Sequence, residues 1–310
     1  MNVAYCECTA PGYCSLYGRE MTGRFFEICQ GRNIDLGTAA AFRTLWRQEA
    51  SVPNFPSDSN RIPLVLQTDQ APGDAVVMTA AIYSLHHAHP GKYLTAVESY
   101  WPEVFEYNPD VVENLIPTGE AQSQLGCDIV KMHYPAIHQS NDRGIHFMEG
   151  VCEFLGSALG VAVPLATDRP RLYFPDPPPP VEDYWVVCSG GKHDLTNKLW
   201  GHDNYQRVVG MLSGKVRFVQ VGGSRPPVPW NDSCMGSQED SHPPLYMHDG
   251  KNLVGKTTLR ELFDLVRRAR GVLCGVSLLM HVAAALDKPA VVVAGGREPV
   301  AWNSYPRQQY

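Results

Sequence analysis

The stretch "FPDPPPPVEDYW", Phe174 to Trp185, constrains this 310-residue chain more than any other. Its four consecutive prolines, Pro177 to Pro180, lack backbone donors and hold φ fixed, so neither a helix nor a central strand runs through them. They favour extended polyproline geometry, which reads as a semi-rigid linker. The chain therefore divides here into two domains.

The side before the linker carries alternating strand and helix patterns. "RIPLVLQTD" (Arg61 to Asp69) reads as a buried strand, and "GDAVVMTAAIYSLHHAHPG" as a helix that stops before Pro90 and Gly91. "KYLTAVES" and "CDIVKM" (Cys127 to Met132) read as further strands, and "HFMEGVCEFLGSALG" as a helix ending at Gly160. Strand, helix and strand in series predict a parallel sheet with helical crossovers.

The pattern restarts after the linker. "YWVVCSGG" is a strand ending in glycines, "HDNYQRVVGMLSG" a helix, and "KVRFVQVGG" a strand. In "TTLRELFDLVRRARG", Thr258 precedes Glu261 by three residues, the spacing of a capping box. Leu259, Leu262, Leu265, Val266 and Ala269 share one face of that helix, and Arg267, Arg268 and Arg270 lie where its dipole favours cations. The strand "GVLCG", a helix from about Ser277 to Leu286 and the strand "AVVVAGG" follow. The segment from Gly222 to Gly250 is a long polar loop, and loops of that length are often functional. The expected fold class is α/β: a Rossmann-like unit over residues 61–175 and a second over 181–310, preceded by a cysteine-rich segment over 1–60. Two such halves place a cleft between them, and open parallel sheets bind ligands at the carboxyl ends of their strands.

A hydrophobic fraction of 44% and a charged fraction of 19% fit a chain that buries sizeable cores. The net charge of -6 argues against nucleic acid or an anionic membrane as partner. "MNVAYCECTA" has neither a basic start nor an apolar core of a signal peptide, and no run of about 18 apolar residues spans a bilayer. The expectation is a cytoplasmic protein without an integral membrane segment.

Four constellations carry chemistry. In "TDQAPGDAVV", Asp74 follows a strand and opens a helix; it is either an N-cap or a carboxylate at the mouth of the sheet, able to act as a general base. In "CSGGKHDLTNKLW", Ser189, Gly190 and Gly191 directly follow a strand, with Lys192 and Lys198 adding positive charge. This is either a surface turn or a place where bare backbone N–H groups approach an anion, though not a Walker loop. In "GVSLLMHVAAAL", Ser277 is placed to cap a helix whose N-terminus favours anions, and His281 lies one turn inside, as a core residue or a ligand-facing one.

The fourth is "CECTAPGYCSLYGREMTGRFFEICQG". Cys6, Cys8, Cys14 and Cys29 are either free thiols or a tetrahedral site for zinc or iron, structural in purpose. The other five cysteines, Cys127, Cys152, Cys188, Cys234 and Cys274, read as small buried hydrophobes, and an odd total speaks against a disulfide framework.

Together these motifs resemble glycosyltransferase family 9, the heptosyltransferases, over about Arg61 to Pro306. The strongest part is "NLVGKTTLRELFDLVRRARGVLCGVSLLMHVAAALDKPAVVVAGG". The resemblance implies two facing Rossmann-like domains in the GT-B arrangement and transfer of heptose from ADP-heptose with inversion at the anomeric carbon. It implies that Asp74 is the catalytic carboxylate, and that Lys198 and the Ser189–Gly191 loop meet the donor diphosphate. Ser277 and His281 match the family's Asp-Ser/Thr-Gly-x-x-His motif, but Val276 stands at its Asp and Leu278 at its Gly. No acidic residue directly follows "VQVGG", where a ribose contact is expected. The family also implies a helical return to the first domain; few residues remain after Pro306 to form it, which implies a shortened chain. One branch of such transferases holds a cysteine-bound iron, which adds weight to a metal at the N-terminal cysteines.

The expected activity is an inverting glycosyltransferase that moves a heptose-like sugar from a nucleoside-diphosphate sugar to an acceptor hydroxyl, with no metal required for the chemistry. The rival readings are a sugar-nucleotide epimerase on the same scaffold and a non-catalytic nucleotide- or metal-binding protein.

Overall fold

The computed structural model describes residues 60–115, 128–191, 198–223, 242–296 and 298–310. Nearer the N-terminus it describes four three-residue strands, β1 (Val3–Tyr5), β2 (Gly12–Cys14), β3 (Arg19–Met21) and β4 (Asn33–Asp35). β1 pairs with β4 and β2 with β3, both antiparallel.

The first half is a parallel sheet in the order β7-β6-β5-β8, formed by β5 (Ile62–Thr68), β6 (Tyr93–Ser99), β7 (Val111–Leu115) and β8 (Asp128–Lys131). β5 and β6 are nearly continuous in apolar character because both faces of a parallel sheet are covered. β7 is absent from the sequence reading. It is a short edge strand with a register shift against β6, and Val112 on it is exposed, so it leaves no apolar run to detect.

Between β5 and β6 runs α1 (Pro72–Ala88), which starts with Pro72 in its first turn and ends at His89, ahead of Pro90. Ala75 to Ile82 are all buried. A helix apolar all round belongs inside a molecule, and α1 lies there. One side packs on α3 (Phe147–Leu159), the other on α6 (Leu278–Ala285) of the second half. α2 (Tyr134–His138) precedes α3. α3 ends in Gly160 at φ +62°, the left-handed cap that glycine favours.

The second half is a parallel sheet in the order β11-β10-β9-β12-β13-β14. Its strands are β9 (Trp185–Cys188), β10 (Phe218–Gln220), β11 (Lys251–Asn252), β12 (Gly271–Gly275), β13 (Ala290–Val293) and β14 (Gln308–Gln309). Its helices are α4 (His202–Met211), α5 (Leu259–Arg268), α6 and α7 (Val300–Asn303). The capping box at α5 forms as the spacing predicts: Glu261 N donates to Thr258 Oγ1 at 3.2 Å, and Thr258 N donates to Glu261 Oε2 at 2.7 Å.

The linker is extended but held. The segment that leads into it is tied to α1 at two buried hydroxyls, Arg171 N donating to Thr79 Oγ1 at 2.8 Å and Ala166 N to Ser84 Oγ at 3.0 Å. From the second half, Arg260 and Arg267 of α5 place their guanidinium carbons 4.4 and 3.9 Å from the Phe174 ring centre. Arg267 also donates to the carbonyls of Asp176 and Pro177. A single cluster of buried apolar side chains runs through both halves.

Near the end of the chain, α7 and the turn after it touch the first half. Trp302 stacks on Phe147 with ring centres 4.5 Å apart, and its Nε1 donates to Ser140 Oγ at 2.7 Å. His146 Nε2 donates to Ser304 O at 2.9 Å. Trp302→Ala should therefore cost about 3–5 kcal/mol of stability, and Trp302→Phe, which keeps the stack but loses the Ser140 bond, clearly less. Denaturant unfolding of the three proteins measures both.

Candidate functional site

The two halves meet end to end. β5 leads into α1 and β12 leads into α6, so the carboxyl ends of both sheets and the N-termini of both helices converge. The closest approach is at Gly73: a Cβ there would lie 3.3 Å from His281 Cδ2 and 3.4 Å from Leu278 Cα. A side chain there would press on His281 by a few tenths of an ångström, so glycine eases the close approach of the helices.

Asp74 sits in the first turn of α1. The N-cap position belongs to Ala71, whose side chain makes no cap bond, so Asp74 is not the N-cap residue considered from the sequence. Its carboxylate is half-buried at the N-terminal end of one helix and beside that of another, where both dipoles favour negative charge. Ser277 holds the N-cap position of α6 but does not cap it either; its hydroxyl donates back to Gly275 O at 3.3 Å. Neither N-cap residue thus spends its side chain on the first N–H groups of its helix.

His281 is buried, with 7% of its surface exposed. Its Nδ1 lies 2.8 Å from Tyr305 Oη. Burial, the Lys198 charge and His146 push its pKa down to about 3, so the ring is neutral at physiological pH. Burial also holds the Tyr305 phenol well above its ordinary value, with smaller contributions from Tyr310 and the Asp74 charge. His146 completes the surround, its ring centre 5.2 Å from that of Tyr305. It caps α3 through Nδ1, which accepts from Met148 N at 3.1 Å, and burial lowers its pKa in turn.

The Ser189–Gly191 turn follows β9. Ser189 is buried and its Oγ accepts from Gln220 Nε2 at 3.4 Å. Gln220, fully buried, also donates to Pro243 O and accepts from Leu245 N, both at 2.8 Å, so one amide orders three segments at the sheet's carboxyl edge. A Cβ at Gly191 would meet Leu199 Cδ2 at 3.0 Å, so the turn packs closely on the residue after Lys198.

Lys198 reaches a partner that sequence reasoning missed. Its Nζ lies 2.8 Å from Oε1 of Glu298, whose side chain is only 2% exposed. The Lys198 backbone oxygen is 3.4 Å from where a Cβ on Gly275 would stand, so Lys198 lies against the end of β12. Val276 and Leu278, the two departures in the motif, are both packed against the common core. Glu298 enters from the segment after β13, the strand next to β12. A lone Glu in "GGREPV" carries no signal of burial. Tyr305 was equally hidden, since "NSYP" reads as a turn.

Lys192 lies outside the described residues, as do Cys6, Cys8 and Cys29; Cys14 closes β2, with its side chain outside the description. Of the five cysteines read as buried hydrophobes, Cys152, Cys188 and Cys274 are buried free thiols, while Cys127 and Cys234 fall outside the described residues. Burial pushes the Cys188 thiol up to about 11, which leaves it unreactive. Among the described residues no helix is long and apolar enough to cross a membrane.

Residues 169–310 match the family model of glycosyltransferase family 9 (heptosyltransferase). Lipooligosaccharide heptosyltransferase 2 of Haemophilus influenzae is 30% identical over 113 residues, which cover 36% of this chain and 31% of that relative. The match thus spans under a third of the curated relative's length. Among solved structures, the glycosyl transferase family 9 protein of Veillonella parvula aligns with a TM-score of 0.59 at 14% identity, covering 83% of this chain and 87% of the other. The E. coli heptosyltransferase WaaC with ADP aligns with a TM-score of 0.58 at 14% identity, covering 80% and 92%. The fold is the α/β, two-domain GT-B arrangement expected from the sequence, and the resemblance to family 9 holds.

Two measurements follow from the geometry. The folded-state pKa of His281 lies below its unfolded value of about 6.5. The stability tied to its neutral form is therefore complete above about pH 6.5 and is lost as pH falls toward 3, at up to about 1.4 kcal/mol per pH unit. Denaturant midpoints between pH 7 and 4.5 should fall less steeply for His281→Gln than for the native chain. Lys198→Met removes the cation 2.8 Å from the buried Glu298 carboxylate and should cost roughly 3 kcal/mol; adding Glu298→Gln should recover much of that loss, as thermal unfolding of both variants will show.

Proposed function

We propose that this chain, similar over residues 169–310 to glycosyltransferase family 9, is an inverting glycosyltransferase. It takes a heptose-like sugar from a nucleoside-diphosphate sugar, ADP-heptose as the expected donor, and passes it to an acceptor hydroxyl. The observation that carries this reading is the convergence at Gly73: the helix turn that holds Asp74 meets the N-terminal turn of α6 beside His281, in the half that also pairs Lys198 with Glu298.

Each group has a part. The acceptor binds on the side of the first sheet, and Asp74 takes its hydroxyl proton as the oxygen attacks the anomeric carbon. The bond from that carbon to the diphosphate oxygen breaks, and the nucleoside diphosphate leaves with the electron pair. Attack and departure on opposite faces invert the anomeric centre. The leaving charge is met by the uncapped N–H groups of α6 after Ser277, by the Ser189–Gly191 backbone, and by the Lys198 ammonium, which has donors left beyond the one turned to Glu298. Lys192 is assigned to the same diphosphate on its position in the sequence. No resident metal takes part in these steps.

The four N-terminal cysteines, Cys6, Cys8, Cys14 and Cys29, are assigned a structural zinc or iron on their spacing alone. Elemental analysis of the full chain against a Cys6→Ser/Cys8→Ser variant tests this: metal retained in the variant at the native ratio would reject those two as ligands.

The reading as a whole turns on Asp74. Asp74→Asn should lower transfer by about 10²–10⁴-fold, the typical share of a general base, while ADP binding stays within a few-fold of the native chain. Sugar transfer followed with the acceptor present and absent, alongside nucleotide titration, reads out both. Undiminished transfer by the variant sinks the proposed role of Asp74, and product formed without acceptor sinks the transferase reading.

A further inference from the structure

Tyr305 is a buried phenol carried on the return segment, and its Oη meets His281 Nδ1 at 2.8 Å. Either group can be the donor in this pair. The choice is decided by what else the phenol can do. A buried O–H has to be donated somewhere. Among the described residues the only acceptor recorded for Tyr305 Oη is that Nδ1. Nδ1 is then the lone-pair nitrogen, and a neutral imidazole with its lone pair on Nδ1 carries its proton on Nε2.

We infer that Tyr305 fixes His281 as a neutral Nε2–H donor on the ring edge that faces α1, which makes Tyr305 a positioning residue for the oxygen that His281 meets. Cδ2, the neighbour of Nε2, is the ring atom turned toward Gly73, so this edge lies at the junction of the two helix N-termini. Nε2 has no hydrogen-bond partner among the described residues. The other tautomer would present a lone pair there and repel an incoming oxygen. Burial keeps the ring from taking a second proton, with Lys198 and His146 adding to the effect. Asp74, on the facing helix, bears on Tyr305 as well. The ligand class is an oxygen-rich anion, a phosphate or sugar oxygen of a nucleoside-diphosphate sugar. That last step rests on the transferase reading; the tautomer does not.

The test uses the full chain labelled with ¹⁵N-histidine, with His281→Gln identifying the signal among the eleven histidines. Long-range ¹H–¹⁵N correlation should show Nδ1 unprotonated and Nε2 protonated, unchanged from pH 8 to 5. Tyr305→Phe keeps the ring's packing but removes the donor. It should shift the Nδ1 resonance, bring in the Nδ1–H tautomer and lower kcat/KM for the sugar donor about tenfold, with Tm within a few degrees of native. A proton on Nδ1 in the native chain overturns the inference, as does a His281 spectrum indifferent to Tyr305→Phe. Loss of transfer with an unchanged tautomer also overturns it, because the effect is then structural only. If the tautomer behaves as stated while the native chain transfers no sugar and binds no ADP, the assignment of Tyr305 stands and the transferase reading falls.

Discussion

The contact of α1 with α6 is the constraint on which the rest depends. α1 is buried along nearly its whole length, with α3 on one side and α6 on the other, so it belongs to both halves at once. A helix in that position has no polar face to spare. Two of its buried hydroxyls, on Thr79 and Ser84, bond back to carbonyls one turn earlier and accept amides from the segment that precedes the linker. Asp74 lies at the end of the helix that opens on the junction. Gly73 lets that end close onto the second half at van der Waals distance, and so sets how far Asp74 stands from His281 and Tyr305.

Closure is held from two further sides. Arg260 and Arg267 clamp the entrance of the proline-rich linker against α5, using the Phe174 ring and main-chain carbonyls instead of carboxylates alone. The return segment seals the other flank, with Trp302 on Phe147 and Ser304 on His146. These contacts involve flat aromatic faces and backbone groups, which hold geometry firmly because few rotamers satisfy them. A linker of prolines limits how the halves separate, and these ties set where they come to rest.

Much of this was legible in the sequence. Strand–helix alternation gave the parallel sheets, Pro90 and Gly160 ended their helices, and Thr258 with Glu261 formed the capping box that their spacing required. The motif positions after β5, β9 and β12 converge because the carboxyl ends of parallel strands lie together by construction. What was not legible depends on contacts between segments far apart in the chain. Tyr305 meets His281 across 24 residues, Trp302 meets Ser140 across 162, and Glu298 finds Lys198 a hundred residues away. None of these leaves a periodic trace. β7 was missed for the opposite reason, as an exposed edge strand has no apolar pattern to show. The capping box of α3 was missed because its cap is a histidine, His146, where a short hydroxyl or carboxylate is the usual signal.

The two departures in the motif take on a physical sense at this junction. Val276 and Leu278 are both packed against the shared core, so each position serves the closure of the halves. A carboxylate at 276 would have had to share that apolar surround. The buried carboxylate of this site comes instead from Glu298, after the neighbouring strand, where Lys198 neutralises it. The histidine beside them is neutral too, since burial and the nearby cation both oppose its protonation. The second half therefore presents oriented N–H donors with little net charge: a helix end, a tautomer held by a phenol, and an ammonium already balanced. Donors fixed in this way gain more from a charge that develops during reaction than from one already present in the ground state. On the transferase reading proposed above, a pocket of that kind would favour departure of a diphosphate over its tight retention.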